Sequence, residues 1–196
     1  MQNLRRLLVT RDFGALLAGS VVPFSMAQVG LLYFGLPLYM EMQGVPSSTT
    51  GRILMIYGLC MIYLGPTVAR LVDPLHRKKQ FILLGGVLGS SGLIYLSVDS
   101  SIAFVALAVF LLALGSCWTS AAQTSWTLSL PSVQQYGTAG ATSVLRAAEK
   151  FGQMIGPLFI GALFTVMGLG SGLAVAGAFY LTMVILFVVV SRQRRR

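Results

Sequence analysis

The chain has 196 residues, of which 56% are hydrophobic and only 10% are charged, and its mean hydropathy is +0.81. A soluble domain of this size needs more polar surface, so the composition predicts a membrane protein with several spans. The formal net charge of +9 does not indicate nucleic-acid binding, because the basic residues stand at the ends of apolar runs and not along one polar face.

Six apolar runs reach the length of about 20 residues that a spanning helix needs. They predict spans at 13–39, 52–71, 81–98, 102–125, 143–167 and 171–190, so that residues 1–196 form a single all-α membrane domain. If the N-terminus is cytoplasmic, every Lys and Arg except Arg52 lies on the inner side. Since Lys and Arg concentrate in cytoplasmic loops, we expect both termini to be cytoplasmic and the membrane to be a bacterial inner membrane.

The first span is interrupted by Pro23 and Pro37 and carries the polar Gln28. Proline removes a backbone amide donor, so kinks are expected there. In transporters such interruptions often lie near the substrate path, whereas the alternative is an ordinary kinked membrane helix.

The fourth span becomes polar in its second half. Its side chains Ser116, Thr119, Ser120 and Gln123 share one helical face by their spacing of three and four residues. That face is expected to line either a cavity or a helix contact. Tyr57 in the second span allows the same two interpretations, a polar lining or helix packing.

Glycines punctuate the third and fifth spans. Gly85 and Gly89 are four residues apart, a spacing that lets helix backbones approach closely in lipid. The fifth span repeats this pattern and adds a proline, which favours a bend. We expect helix packing from all of them: Gly85, Gly89, Gly152, Gly156, Pro157 and Gly161.

The segment between the second and third spans reads A-R-L-V-D-P-L-H-R-K-K. It resembles the loop that the major facilitator superfamily of secondary transporters carries between the second and third helices of each six-helix half. The pattern is matched at Asp73, Arg77 and Lys78 and is not matched at Ala69, Pro74 and His76. The glycines and proline of the fifth span are similar to those of the fifth helix in the family's halves. The weakened loop looks more like that of a C-terminal half.

This resemblance implies that the chain is half of a major facilitator fold, working with a second half or as a homodimer. It implies alternating-access transport of a small neutral or amphipathic solute between the halves. Polar and aromatic side chains of the spans are expected to line the path: Gln28, Tyr33, Tyr57, Trp118, Thr119 and Gln123. A charge cluster at the inner side is expected to form the gate, with a solvated cluster that only fixes topology as the alternative: Asp73, Arg77, Arg146 and Glu149.

Other features of the sequence argue against enzymatic chemistry and ion coupling. No Asp, Glu, Lys or Arg stands near the middle of a predicted span, where a proton relay would place one. His76 has no metal-ligating neighbours at suitable spacing, and we expect neither an enzyme, nor a metal site, nor a cofactor. The competing hypothesis is a six-helix sensor or anchor module that derives from a transporter and does not transport.

Overall fold

The computed structural model describes residues 10–73, 78–97 and 101–192, and within these ranges it contains helices and no strand. We number the helices of these ranges in chain order. They are α1 (Asp12–Met42), α2 (Ser47–Val72), α3 (Lys78–Tyr95), α4 (Ile102–Leu128), α5 (Pro131–Tyr136), α6 (Thr138–Met167) and α7 (Leu169–Arg192). Each predicted span coincides with a helix, except that α3 ends at Tyr95, before the end of the third predicted span at Val98, which lies outside the described residues. The short α5 lies in the stretch between the fourth and fifth predicted spans.

Five of these helices are long and apolar enough to cross a membrane, namely α1, α2, α4, α6 and α7. Helix α3 has 18 residues but starts with Lys78, Lys79 and Gln80, which lower its apolar character. The described residues thus give five candidate spans, and a sixth span through α3 stays a prediction. With so many apolar helices, the chain is a multi-pass membrane protein.

Helix α1 contains two π-helical segments, Leu17–Val21 and Gly30–Gly35. Each ends two residues before a proline of the sequence, Pro23 or Pro37. In a π-helix each amide donates to the carbonyl five residues earlier, and here the amide of Val22 donates to Leu17 O. The next residue, Pro23, has no amide hydrogen to donate. Proline is thus accommodated by a widened turn, and the helix continues to Met42 without a break.

The second π-helical segment follows the same rule. The amide of Leu36 donates to Leu31 O, and Pro37 comes next. If the π-helical register continued, the amide of residue 37 would donate to Leu32 O, but proline has no amide to donate. Two such points in one helix are places where backbone hydrogen bonding is weakened.

The helices form a bundle in which α1 packs mainly on α6, and α4 packs on both α2 and α3. Helix α7 closes the bundle by packing on α3, α6 and α1. Burial is uneven among the spans. In the most apolar 18 residues, 61% are buried in α1 and 50% in α4, against 22% in α2 and 22% in α6. Helices α2 and α6 therefore expose the largest unpacked faces.

Candidate functional site

Polar side chains of α1 and α2 meet inside the bundle. Gln28 Nε2 donates a hydrogen bond to the Tyr57 hydroxyl, and the side chain of Ser116 on α4 interacts with the same hydroxyl. Both Gln28 and Tyr57 are partly buried. Three helices are thus connected by a polar contact between residues that are distant in the sequence.

A second polar contact joins α1 to α4. Gln123 Nε2 donates to Ser20 Oγ at 2.9 Å, and both side chains are almost completely buried. Ser20 lies in the first π-helical segment, next to the turn that Pro23 imposes. The polar face predicted on α4 therefore makes a helix contact at Gln123.

Three buried polar atoms near this contact have no hydrogen-bond partner of normal geometry in the described part of the chain. They are Thr119 Oγ1, Gln123 Oε1 and the Tyr180 hydroxyl. The Thr119 and Tyr180 side chains are close enough to interact, but the geometry of a hydrogen bond is not reached. The interior of the bundle therefore holds unused hydrogen-bonding capacity on α4 and α7.

The side chains predicted to line the path differ widely in exposure. The Tyr33 side chain is 72% exposed, whereas Thr119 and Gln123 are buried, with exposed fractions of 0% and 1%. Trp118 stacks on Phe81 of α3 with ring centroids 5.1 Å apart. The structure brings Gln28 and Tyr57 into contact and places Tyr33 near enough to Tyr57 for an electrostatic interaction.

The charge cluster is partly described. Arg146 and Glu149 form an ion pair of 2.8 Å along one face of α6, with 69% of the Arg146 side chain exposed. Asp73 is exposed at the end of α2, and Arg77 lies outside the described residues. In the ranges that the structure covers, no ion pair joins Asp73 to the α6 pair.

Two lysines at the start of α3 bind the ends of neighbouring helices. Lys78 Nζ donates to Ser125 O of α4 at 3.2 Å, and Lys79 Nζ donates to Ser191 O of α7 at 2.7 Å. Lys79 also lies 5.3 Å from the centre of the Trp126 ring. A cation at the carbonyl end of a helix is favourable because the helix dipole is negative there. The sequence pattern did not reveal this role, since it depends on which helix ends are adjacent in space.

The predicted packing glycines lie where two helices approach closely. A methyl group at Gly85 would stand 2.6 Å from Gly115 O of α4 and would meet the Thr119 hydroxyl. On α6, a methyl group at Gly156 would stand 2.6 Å from Met26 O of α1.

Among the other predicted packing residues, Gly89 and Gly161 face aromatic side chains, whereas Gly152 packs against the backbone of α1. Gly89 faces the Tyr180 ring at 3.2 Å, and Gly161 faces the Phe34 ring at 3.4 Å. Gly152 lies 2.7 Å from Val22 O, measured in the same way. Pro157 stands inside α6 without interrupting it.

Sequence reasoning missed three further glycines, Gly51, Gly58 and Gly65 of α2. A methyl group at any of them would meet no atom within 4 Å. Their spacing of seven residues was visible in the sequence and keeps them on one side of a helix that crosses a neighbour at a small angle. They form an open strip on one of the two least buried spans.

Comparison with known families gives a match to the Major Facilitator Superfamily over residues 24–196. A comparison with curated proteins gives no match. The family match begins inside α1 and includes every later helix, and the 196-residue chain fits a partial domain of this transporter family. Because the match covers most of the sequence, the chain belongs to the Major Facilitator Superfamily.

Proposed function

We propose that this chain is one six-helix half of an alternating-access transporter for a small neutral or amphipathic solute. In this proposal α3 is the sixth span, both termini are cytoplasmic, and the membrane is a bacterial inner membrane. A second half, or a second copy of the chain, completes the path. Family membership supports transport as the activity, and the chain has no role as an enzyme in this proposal.

The observation that carries the proposal is the unequal burial of the spans. Helices α2 and α6 bury 22% of their most apolar residues, less than half of the 50% found in α4. The open face of α2 includes Gly58, Gly65 and the apolar Ile62, which is 67% exposed. Small residues at regular spacing are the surface that lets another membrane helix approach closely. We infer that the second half packs along α2 and α6.

The two π-helical segments of α1 support a conformational cycle. Weakened backbone hydrogen bonding near Pro23 and Pro37 gives α1 two points at which it bends at low cost. In secondary transporters, interrupted helices lie at the binding site. Gln28 lies between these points and bonds to Tyr57 of α2, and these two residues are our first choice for solute contact, with Tyr33 and Trp118 at the periphery.

In this scheme Thr119 and Gln123 support the path from inside the half. For the gate we propose the inner charge cluster of Asp73, Arg77, Arg146 and Glu149, in which the α6 ion pair exchanges partners with the loop after α2. The sensor or anchor module is the second candidate function. It is favoured by the burial of Thr119 and Gln123, which leaves fewer polar groups for a solute.

Cross-linking tests the partner interface. Single cysteines replace Ile62 on α2, Leu158 on α6 or Ile185 on α7, in a chain whose own cysteines are changed to alanine. All three positions are exposed. We expect specific cross-links from α2 and α6 and none from α7, which faces lipid in this arrangement. Equal reaction at all three positions, or at none, would contradict the interface.

Alternating access is tested separately with Tyr33→Cys in membrane vesicles of both orientations. A maleimide that cannot cross the membrane is expected to react from either side, because the path opens to each in turn. Val189→Cys, at a position 50% exposed on α7, is the control and is expected to stay unreactive. Reaction of Tyr33→Cys from one side only would favour the sensor or anchor function.

A further inference from the structure

The interior of the bundle contains three polar atoms that a dry protein core does not tolerate well. Thr119 Oγ1, Gln123 Oε1 and the Tyr180 hydroxyl are all inaccessible to solvent and have no hydrogen-bond partner of normal geometry in residues 10–73, 78–97 and 101–192. A buried polar group left unpaired costs about 1–3 kcal/mol. Because three such groups occur in one region, an additional ligand that pairs with them is expected.

Helix spacing and one side-chain contact place the three groups in the same region of the interior. Thr119 and Gln123 are one turn apart on α4, which places their Cβ atoms about 6 Å from each other. The Tyr180 side chain of α7 interacts with Thr119, and the Gln123 amide nitrogen donates to Ser20, which leaves Gln123 Oε1 for another partner.

We propose that a water molecule binds between Thr119, Gln123 and Tyr180. The water donates one hydrogen bond to Gln123 Oε1 and one to Thr119 Oγ1, and it accepts one from the Tyr180 hydroxyl. This gives it three partners, the usual number for a buried water. All three protein groups are uncharged, so an ion at the same place would lack a counter-charge.

Gly85 makes the site possible. The Thr119 hydroxyl oxygen lies against Gly85, so that a methyl group at this position would collide with it. Glycine thus leaves room for a polar atom at the contact of α3 and α4. The bound water links α4 to α7 through exchangeable hydrogen bonds, and this role does not depend on the proposed transport.

Footprinting with hydroxyl radicals tests the site directly. X-rays generate the radicals from water itself, so a buried side chain is oxidised when a water molecule stands beside it. Tyr180 and Phe187 of α7 are equally buried, at 1% exposure each. In the full chain in lipid nanodiscs, we expect mass spectrometry to show Tyr180 oxidised severalfold faster than Phe187.

A matched pair of variants then assigns the water to its partners. Thr119→Val removes one of them and is expected to reduce oxidation of Tyr180 to the level of Phe187. Thr127→Val is the control, since Thr127 is equally buried on α4 but its hydroxyl already donates to Gln123 O at 2.7 Å. We expect it to leave Tyr180 oxidation unchanged.

Two results would overturn the proposal. If Tyr180 in the unsubstituted chain is oxidised as slowly as Phe187, Thr119 and Tyr180 bond to each other without water. If Tyr180 is oxidised quickly but Thr119→Val has no effect, the water lies elsewhere. Comparing the oxidation of Tyr180 and Phe187 in the unsubstituted chain tests the bound water even if the Thr119 variant does not fold.

Discussion

The contact between α1 and α6 leads to a quantitative prediction for Gly156→Ala. The added methyl group would stand 2.6 Å from Met26 O and 2.9 Å from Gly30 N, both backbone atoms of α1. Carbon and oxygen atoms approach to about 3.3 Å at the closest, so the overlap is about 0.7 Å. Backbone atoms cannot rotate away as a side chain does, and the two helices have to separate or bend.

Gly58→Ala is the matched control. A methyl group at Gly58 of α2 meets nothing within 4 Å, so this variant gains only the higher helix propensity of alanine. That gain is common to both variants and cancels in their difference. Since overpacking costs about 1–3 kcal/mol, we expect the free energy of unfolding of Gly156→Ala to be lower than that of Gly58→Ala by about this amount.

Unfolding in detergent micelles, followed by tryptophan fluorescence, measures the difference. Both indole rings are on α4, so the signal reports the bundle as a whole and not the substituted helix. Equal stability of the two alanine variants would show that α1 and α6 do not approach as closely as described. The packing role of Gly156 would then be refuted.

Three further substitutions test the polar and charged contacts. Lys79→Met removes the ammonium group that binds Ser191 O, and we expect unfolding stability to fall by about 1.5–3 kcal/mol, measured in the same micelles. Tyr57→Phe leaves the Gln28 amide without its acceptor, for which we expect a loss of about 0.6–2 kcal/mol; no loss would mean that water replaces the hydroxyl. Glu149→Gln breaks an ion pair in which the Arg146 side chain is 69% exposed and the Glu149 side chain 17%, so we expect a stability change below about 1 kcal/mol that shrinks with added salt. A larger salt-independent change would contradict a surface pair.

The positions of the helices were readable from the sequence, because apolar runs of about 20 residues have few alternatives. The prolines also predicted where α1 departs from regular geometry. The prolines did not predict the geometry of the irregular turn, because a kink and a π-helical turn can both accommodate the missing amide of Pro23. The structure has a widened turn before each proline, in which the amide bonds reach one residue further back, and a kink at these turns stays a prediction.

The candidate site was less predictable than the fold. A polar face on α4 indicated a cavity or a helix contact, and the spacing of its residues cannot distinguish the two. The decision depends on the neighbours, and α1 provides Ser20 as a partner for Gln123. The lysines of α3 were likewise visible only as positive charge, because their acceptors are carbonyls of helices far along the chain.

The glycine contacts and the hydrogen bonds between side chains join different pairs of helices, and this difference predicts which pairs separate most easily. Glycine contacts bring α3 against α4 and α1 against α6 at backbone distance. By contrast, the described side-chain bonds from α1 to α2 and α4 are single polar contacts at Tyr57 and Gln123. A hydrogen bond between membrane helices contributes about 0.6 kcal/mol on average, far less than an interface packed at backbone distance. If the half changes shape, we therefore expect it to open between α1 and the pair of α2 and α4, where water or solute can replace the two bonds.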